Sequence, residues 1–251
     1  MPDNCVVIYG LILLTLFNAM LTTNYNDITP SEAIQLQQDM RDKVQLTPLQ
    51  HPITTIAGAD ISFNKFSDIV YAGIIVLSYP GMQVIEKATA VTRITFPYIP
   101  GLLAFREVPA LAEAWNKLQQ RPELLVLDGH GIAHPRRVGI ATHFGILANT
   151  PTMGCAKSLL VGSYETPSNE QFATADLVHK GEKIGTVLRT KVKCNPVYIS
   201  PGHLITMEES LEVIKGCVGK YRIPEPTRNA HLLVNQLRIS YLNGQADDKL
   251  I

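Results

Sequence analysis

Three carboxylates stand where the pattern of side chains ends a strand or opens a helix: Asp60 inside one apolar run, Glu107 at a helix start and Asp128 at the close of a second run. An aspartate in Ala57-Gly58-Ala59-Asp60-Ile61 interrupts a segment that would otherwise bury completely, and a buried charge is costly without a partner. Two such charges about 4 Å apart repel by roughly 4 kcal/mol at an effective dielectric of about 20, so three that converge require a cation. Ligands that are all oxygen favour Mg²⁺ or Mn²⁺ over zinc. The competing arrangement is three surface carboxylates that never meet, and separation along the chain does not choose between the two.

The most informative stretch is Asp128-Gly129-His130-Gly131-Ile132-Ala133-His134-Pro135-Arg136-Arg137. Two glycines and a proline around two histidines, directly after an apolar strand, describe a tight loop at the carboxyl end of a sheet, where ligands commonly bind. A glycine-rich turn with locally bonded histidines would read the same way. His203 in Ser200-Pro201-Gly202-His203 also follows a strand, although a lone histidine is more often structural. In Phe96-Pro97-Tyr98-Ile99-Pro100-Gly101, prolines on both sides hold an aromatic and an aliphatic side chain in a stiff loop, suited to insertion between stacked bases or to packing back on the core. Arg189, Lys191 and Lys193 alternate with uncharged residues, so on a strand they would form a cationic row facing either phosphates or solvent. Lys157, beyond a short strand, could bring a charge near the carboxylates or stand exposed.

The elements that must position these residues follow from periodicity. Thr29-Pro30-Ser31-Glu32 opens a helix that Pro48 has ended. Thr55 to Phe63, Val70 to Tyr79 and Val84 to Ile94 read as an antiparallel meander. Glu107 to Leu118 reads as a helix, Leu124 to Leu127 as an interior strand, Arg137 to Leu147 as a helix and Thr152 to Cys155 as a strand. Ile184 to Lys193 and Val197 to Ser200 give two more strands, and Met207 to Val218 a final helix. The expectation is an α/β fold, a mixed β-sheet flanked by helices.

With 251 residues, 46% of them hydrophobic, the chain has material for one domain, expected over residues 28–230 between an extension (1–27) and a tail without strong signal (231–251). Lys plus Arg and Asp plus Glu number 22 each, so any nucleic-acid footprint must be local. Four dispersed cysteines without C-x-x-C spacing indicate neither a disulfide framework nor a zinc site, and reduced cysteines suit a cytoplasmic protein. Val6 to Leu21 is apolar but short for a membrane span, and Asp3 precedes it rather than the cation of a signal peptide. A translation start at Met20 is the preferred reading, beside a weak signal or anchor and a terminal helix.

From about Ile28 to Arg228 the chain resembles the endonuclease V family, the deoxyinosine 3′ endonucleases. The blocks that carry the resemblance are IAGAD, PYIPGLLAFRE, DGHGIAHPRR, GCAK, KCNPVYISPGH and GYRIPEPTR, in the family's order. The resemblance implies a ribonuclease H-like fold and Mg²⁺, with Mn²⁺ as a substitute, held by Asp60, Asp128 and Glu107. It places His203 near the metal and Lys157 near the cleaved phosphate. Tyr98, with Pro97, Ile99 and Pro100, becomes a wedge beside the lesion, and Gly129, His130, Gly131, His134 and Arg136 become contacts to the flipped base and its strand.

The implied reaction is hydrolysis of the second phosphodiester bond 3′ to deoxyinosine in DNA, leaving 3′-hydroxyl and 5′-phosphate ends, by a monomer with no stable protein partner. Two other readings stay open: an endoribonuclease for inosine in RNA, and a non-catalytic binder of deaminated nucleic acid.

Overall fold

The computed structural model describes residue 21 and residues 23–64 and 67–244, so the apolar run up to residue 20 lies outside the described residues. Helix α1 (Pro30–Arg41) begins at the signal read in the sequence: the Thr29 hydroxyl accepts from the Glu32 amide, and the Glu32 carboxylate accepts from the Thr29 amide at 2.8 Å. Strands β1 (Thr55–Phe63), β2 (Ile69–Ser78) and β3 (Val84–Arg93) form the expected antiparallel meander. Helix α2 (Ala104–Lys117) starts one turn earlier than expected and carries Glu107 in its first turn.

Strand β4 (Leu124–Leu127) is followed by α3 (Ile140–Ala148) and β5 (Thr152–Ala156). Next come β6 (Thr174–His179), β7 (Glu182–Leu188), β8 (Val197–His203), α4 (Met207–Gly216) and α5 (Glu225–Leu242). The eight strands make one mixed sheet in the order β3-β2-β1-β4-β5-β8-β7-β6, with β4 parallel to both neighbours and every other pairing antiparallel. This is the α/β architecture expected from the residues.

Strand β4 is central because all four of its side chains are apolar and find cover on both faces. Leu125 and Leu127 pack with Phe105, Leu111 and Phe144 of α2 and α3, while Leu124 and Val126 pack with Met153, Ile214 of α4 and Leu233 of α5. Each buried leucine contributes about 1.5–3 kcal/mol relative to exposure, so the ends of β1 and β4 are rigid mounts.

Several expectations are corrected. The strand expected to reach Lys193 stops at Leu188, and residues 189–193 form a loop with Lys193 in the left-handed region (φ 61°). The Arg189 guanidinium turns inward and donates to the carbonyls of Ser168, Cys194 and Pro167 at 2.6, 2.6 and 3.0 Å, so no cationic row forms. The Arg189 backbone still bonds to Ala173 and Phe172, and the turn that follows carries Lys191 and Lys193 away from the sheet. Strand β6 at the sheet edge went unread; it is short, buries Leu177 alone, and a register shift between Leu177 and Val178 interrupts its alternation.

The tail boundary at residue 230 falls inside α5, whose Ala230, Leu233, Val234 and Leu237 are buried at helical spacing. At the other end, Tyr25 packs edge-on against Phe105 and pairs its hydroxyl with His143 Nε2 at 2.9 Å, so residues before 28 join the same unit. Among the described residues no helix is long and apolar enough to cross a membrane.

Candidate active site

The parallel register of β1 and β4 builds the site. Ala59 lies beside Leu127, and the Asp128 amide donates to the Ala59 carbonyl at 3.0 Å, so the next residues, Asp60 and Asp128, stand side by side. A slip of one residue would turn Asp60 to the opposite face of the sheet. Helix α5 crosses over β1 and delivers His231, whose Nδ1 lies 2.7 Å from Asp60 Oδ2. The other Asp60 oxygen accepts from the Ile61 amide at 2.8 Å. Lys157, just past β5, forms an ion pair with Asp128 Oδ2.

The electrostatics are those of negative charge gathered without enough counter-charge. Burial raises the Asp60 carboxyl above its ordinary range, and Asp128 adds to the rise, while His231 and Lys157 oppose it. Glu107 is pushed up to about 8, first by burial and then by the charges of Asp60 and Asp128. Ligand atoms of Asp60, Asp128 and His231 all lie within 4.8 Å of one another, a group that could hold a metal ion. Carboxyls raised by burial, and further by the charge of their neighbours, fit a divalent cation, which would offset both.

Beside the carboxylates opens a cavity of about 220 Å³, lined among others by Glu107, Asp128, Gly129, His130, His134 and Leu160. His130 Nε2 faces the Ser158 carbonyl at 3.1 Å, and burial lowers its basicity. His134 is held down to about 3 by burial and by Arg136, so it is neutral at physiological pH. Its Nδ1 accepts from the Arg136 amide and its Nε2 donates to the Gly101 carbonyl at 3.1 Å, which fixes one tautomer. The loop of residues 97–101, whose Gly101 lines the cavity, exposes Pro97, Tyr98 and Pro100, with Ile99 half-buried. Tyr98 is 62% exposed and touches Phe63 edge-on with ring centroids 6.0 Å apart, while Phe96 anchors the loop in the core.

Asp60, Asp128 and Lys157 come together, and Glu107 lines the cavity beside them, while the group of ligand atoms that could hold an ion is completed by His231 and not by Glu107. His203 does not join them. Strand β8 is antiparallel to β5, so His203 pairs with Thr152 at the start of β5, the end of the strand away from the carboxylates. There it is buried, and its Nδ1 accepts from the Gln45 amide at 3.3 Å. A histidine after a strand reaches a carboxyl-edge site only if the strand runs parallel to the others. Gly131 packs on β8, where an added Cβ would lie 2.0 Å from the Pro201 carbonyl oxygen, and Arg136 spends its guanidinium on Gln37 and Gly101. Gly129, His130 and His134 line the cavity. The missed residue is His231; the helical spacing of Ala230, Leu233, Val234 and Leu237 was the available signal for its helix.

The raised Glu107 carboxyl has a measurable consequence. Without divalent metal, the folded protein holds a proton on Glu107 between the ordinary carboxyl range and about pH 8 that the unfolded chain has released. Its contribution to stability is full below the unfolded value and is lost as pH rises through the folded one. In EDTA the melting temperature is expected to fall between pH 5 and 8 more steeply than that of Glu107→Gln. Stabilisation by added Mg²⁺ is expected to grow over the same range, since the ion competes with the proton. Parallel melting curves for the two proteins would exclude this assignment.

Comparison with known proteins places these residues in context. The family model described as endonuclease V matches residues 38–232. Endonuclease V of Myxococcus xanthus is 46% identical over 213 residues, covering 84% of this chain and 91% of its own. The crystal structure of endonuclease V from Streptomyces avermitilis superposes with a TM-score of 0.82 at 36% identity, over 86% of this chain and 96% of that one. Endonuclease V from Ciona intestinalis, solved with a 23mer DNA containing an inosine followed by a ribo-adenosine, gives a TM-score of 0.75 at 27% identity over 85% and 100% of the two chains.

Proposed function

Because the chain belongs to the endonuclease V family, we propose that it is a metal-dependent endonuclease that recognises deoxyinosine in DNA and hydrolyses the second phosphodiester bond on its 3′ side. One observation carries the reading: Asp60, Asp128 and His231 share a small volume directly beside a cavity lined by Glu107 and Asp128. A divalent cation at such a group, when bound, polarises a phosphoryl oxygen and makes nucleophilic water available near neutral pH.

The chain's own residues supply the rest. Tyr98 enters the stack beside the lesion, and the deaminated base, weakly paired, leaves the duplex at lower cost than a normal one. The cavity receives it. Hypoxanthine carries an acceptor oxygen where adenine carries a donor amino group, so donors around the cavity favour it. Lys157 offers its ammonium to the phosphate that Asp128 cannot approach unaided. His231 donates Nδ1–H to Asp60 and keeps that carboxylate oriented, while the Asn235 amide at 3.0 Å holds His231 Nε2 as an acceptor. Water oxygen bonds to phosphorus as the bond to the 3′ oxygen breaks, leaving 3′-hydroxyl and 5′-phosphate ends with the base still on its sugar.

The test is a nicking assay on matched duplexes with inosine or adenine at one position, in Mg²⁺ and in EDTA. The expected result is a single cut 3′ to inosine, present only with Mg²⁺. Release of free hypoxanthine would replace this reading with a glycosylase, and tight binding without cleavage in Mg²⁺ would replace it with a binder. An inosine-containing RNA belongs in the same experiment, since the Ciona relative was solved with a ribonucleotide following the inosine; preferential cutting of RNA would make the substrate RNA.

A further inference from the structure

Of the three residues that α1 buries, Ala33, Gln37 and Met40, only Gln37 is polar, and it is 0% exposed. Its amide is fully used. Nε2 donates to the carbonyls of Gly101 and Val138 at 3.1 Å each, and Oε1 accepts from Arg136 Nε at 2.5 Å. The Gly101 carbonyl receives two further donors, Arg136 Nη2 at 2.7 Å and His134 Nε2 at 3.1 Å. Gly101 closes the Tyr98 loop in the left-handed region (φ 80°), and His134, Arg136 and Val138 belong to the segment that follows Asp128. Gln37 lies outside the stretch that the family model matches.

We propose that Gln37 is a positioning residue that locks the Tyr98 loop onto the segment after Asp128 and so sets the distance between the wedge and the cavity that receives the base. The proposal rests on the endonuclease reading above. Gln37, Gly101 and Val138 also line the cavity, but none of the Gln37 contacts involves Asp60, Asp128 or Lys157, so the chemistry at the phosphate does not depend on them. Wedge placement matters only when a base must be drawn out of a paired stack, since a base in a single strand is already free. The clamp is therefore a device for duplex substrates. A buried amide does this better than an apolar side chain because three directional bonds, two to one loop segment and one to the other, determine a single relative placement.

The experiment compares wild type and Gln37→Leu on the same inosine oligonucleotide as a duplex and as a single strand, with saturating Mg²⁺ and thermal melting of each protein. A second probe is the fluorescence of 2-aminopurine beside the lesion in Ca²⁺, which brightens when the neighbouring base leaves the stack. The expected result is a fall of tenfold or more in kcat/KM on the duplex, a fall at least fivefold smaller on the single strand, where only the cavity wall that Gln37 shares is altered, and loss of the fluorescence rise. An equal fall on both substrates, or an unchanged duplex rate, overturns the clamp. Wild type that cuts neither substrate overturns the endonuclease reading instead. Should Gln37→Leu fail to fold, Gln37→Asn, which withdraws the amide by one methylene, is expected to show the same duplex-selective loss in weaker form.

Discussion

Asp60→Ala and Asp128→Ala are each expected to lower cleavage of an inosine-containing duplex on the order of a thousandfold. A bound divalent ion contributes several kcal/mol of charge stabilisation, and each ~1.36 kcal/mol is tenfold in rate. The same substitutions should leave the fold standing. Asp60 is raised by burial and by Asp128, so removing one charge relieves the other, and the metal-free melting temperature is expected to hold or to rise. Mg²⁺ should then raise the melting temperature of the wild type and not of either variant. The measurements are single-turnover cleavage and melting with and without Mg²⁺. Cleavage within tenfold of wild type in either variant would remove the proposed ion site.

Gly58→Ala should be as damaging by an unrelated route. A Cβ on Gly58 would lie 1.9 Å from the carbonyl oxygen of Pro226 and 2.2 Å from its carbon, and a backbone cannot swing aside as a side chain does. Helix α5 would have to lift off β1. Overpacking of this kind costs about 1–3 kcal/mol and occasionally more, and a domain of this size loses roughly 2–4 °C per kcal/mol. Activity should fall further than stability, because α5 carries His231 to Asp60 and a displacement of about 1 Å can cost about 100-fold. Gly73→Ala is the internal control. Its Cβ would meet the Leu233 side chain at 3.4 Å, an ordinary contact in the same interface, and little change is expected. If Gly58→Ala melts and cleaves like Gly73→Ala, the close approach of α5 does not position the site.

Much of this was legible in the residues. The capping box at Thr29 and Glu32, the apolar run of β4 and the meander of β1 to β3 are local patterns, and each formed where its pattern indicated. The carboxylates were legible for a different reason: an aspartate in an apolar run is expensive, and its cost marks it. Arg189 shows the limit. Alternation through Lys193 fitted a strand face, but two carbonyls of the 167–168 segment and one from Cys194 in the same loop hold the guanidinium inward, and the chain turns off the strand after Leu188. His203 and His231 exchanged importance because strand direction and helix docking, not neighbouring sequence, decide which histidine reaches the carboxylates.

Local patterning by itself determined where strands and helices form, which side chains are apolar enough to bury and which acids stand out among them, since these depend on residues within a turn or two of one another. Only the tertiary structure decided that Asp60 and Asp128 are neighbours, that His231 joins them and that Gln37 ties two loops together. Those facts depend on inter-strand register and on where α5 lands, which are set by burying both faces of one sheet at once and leave no trace in any single stretch of chain.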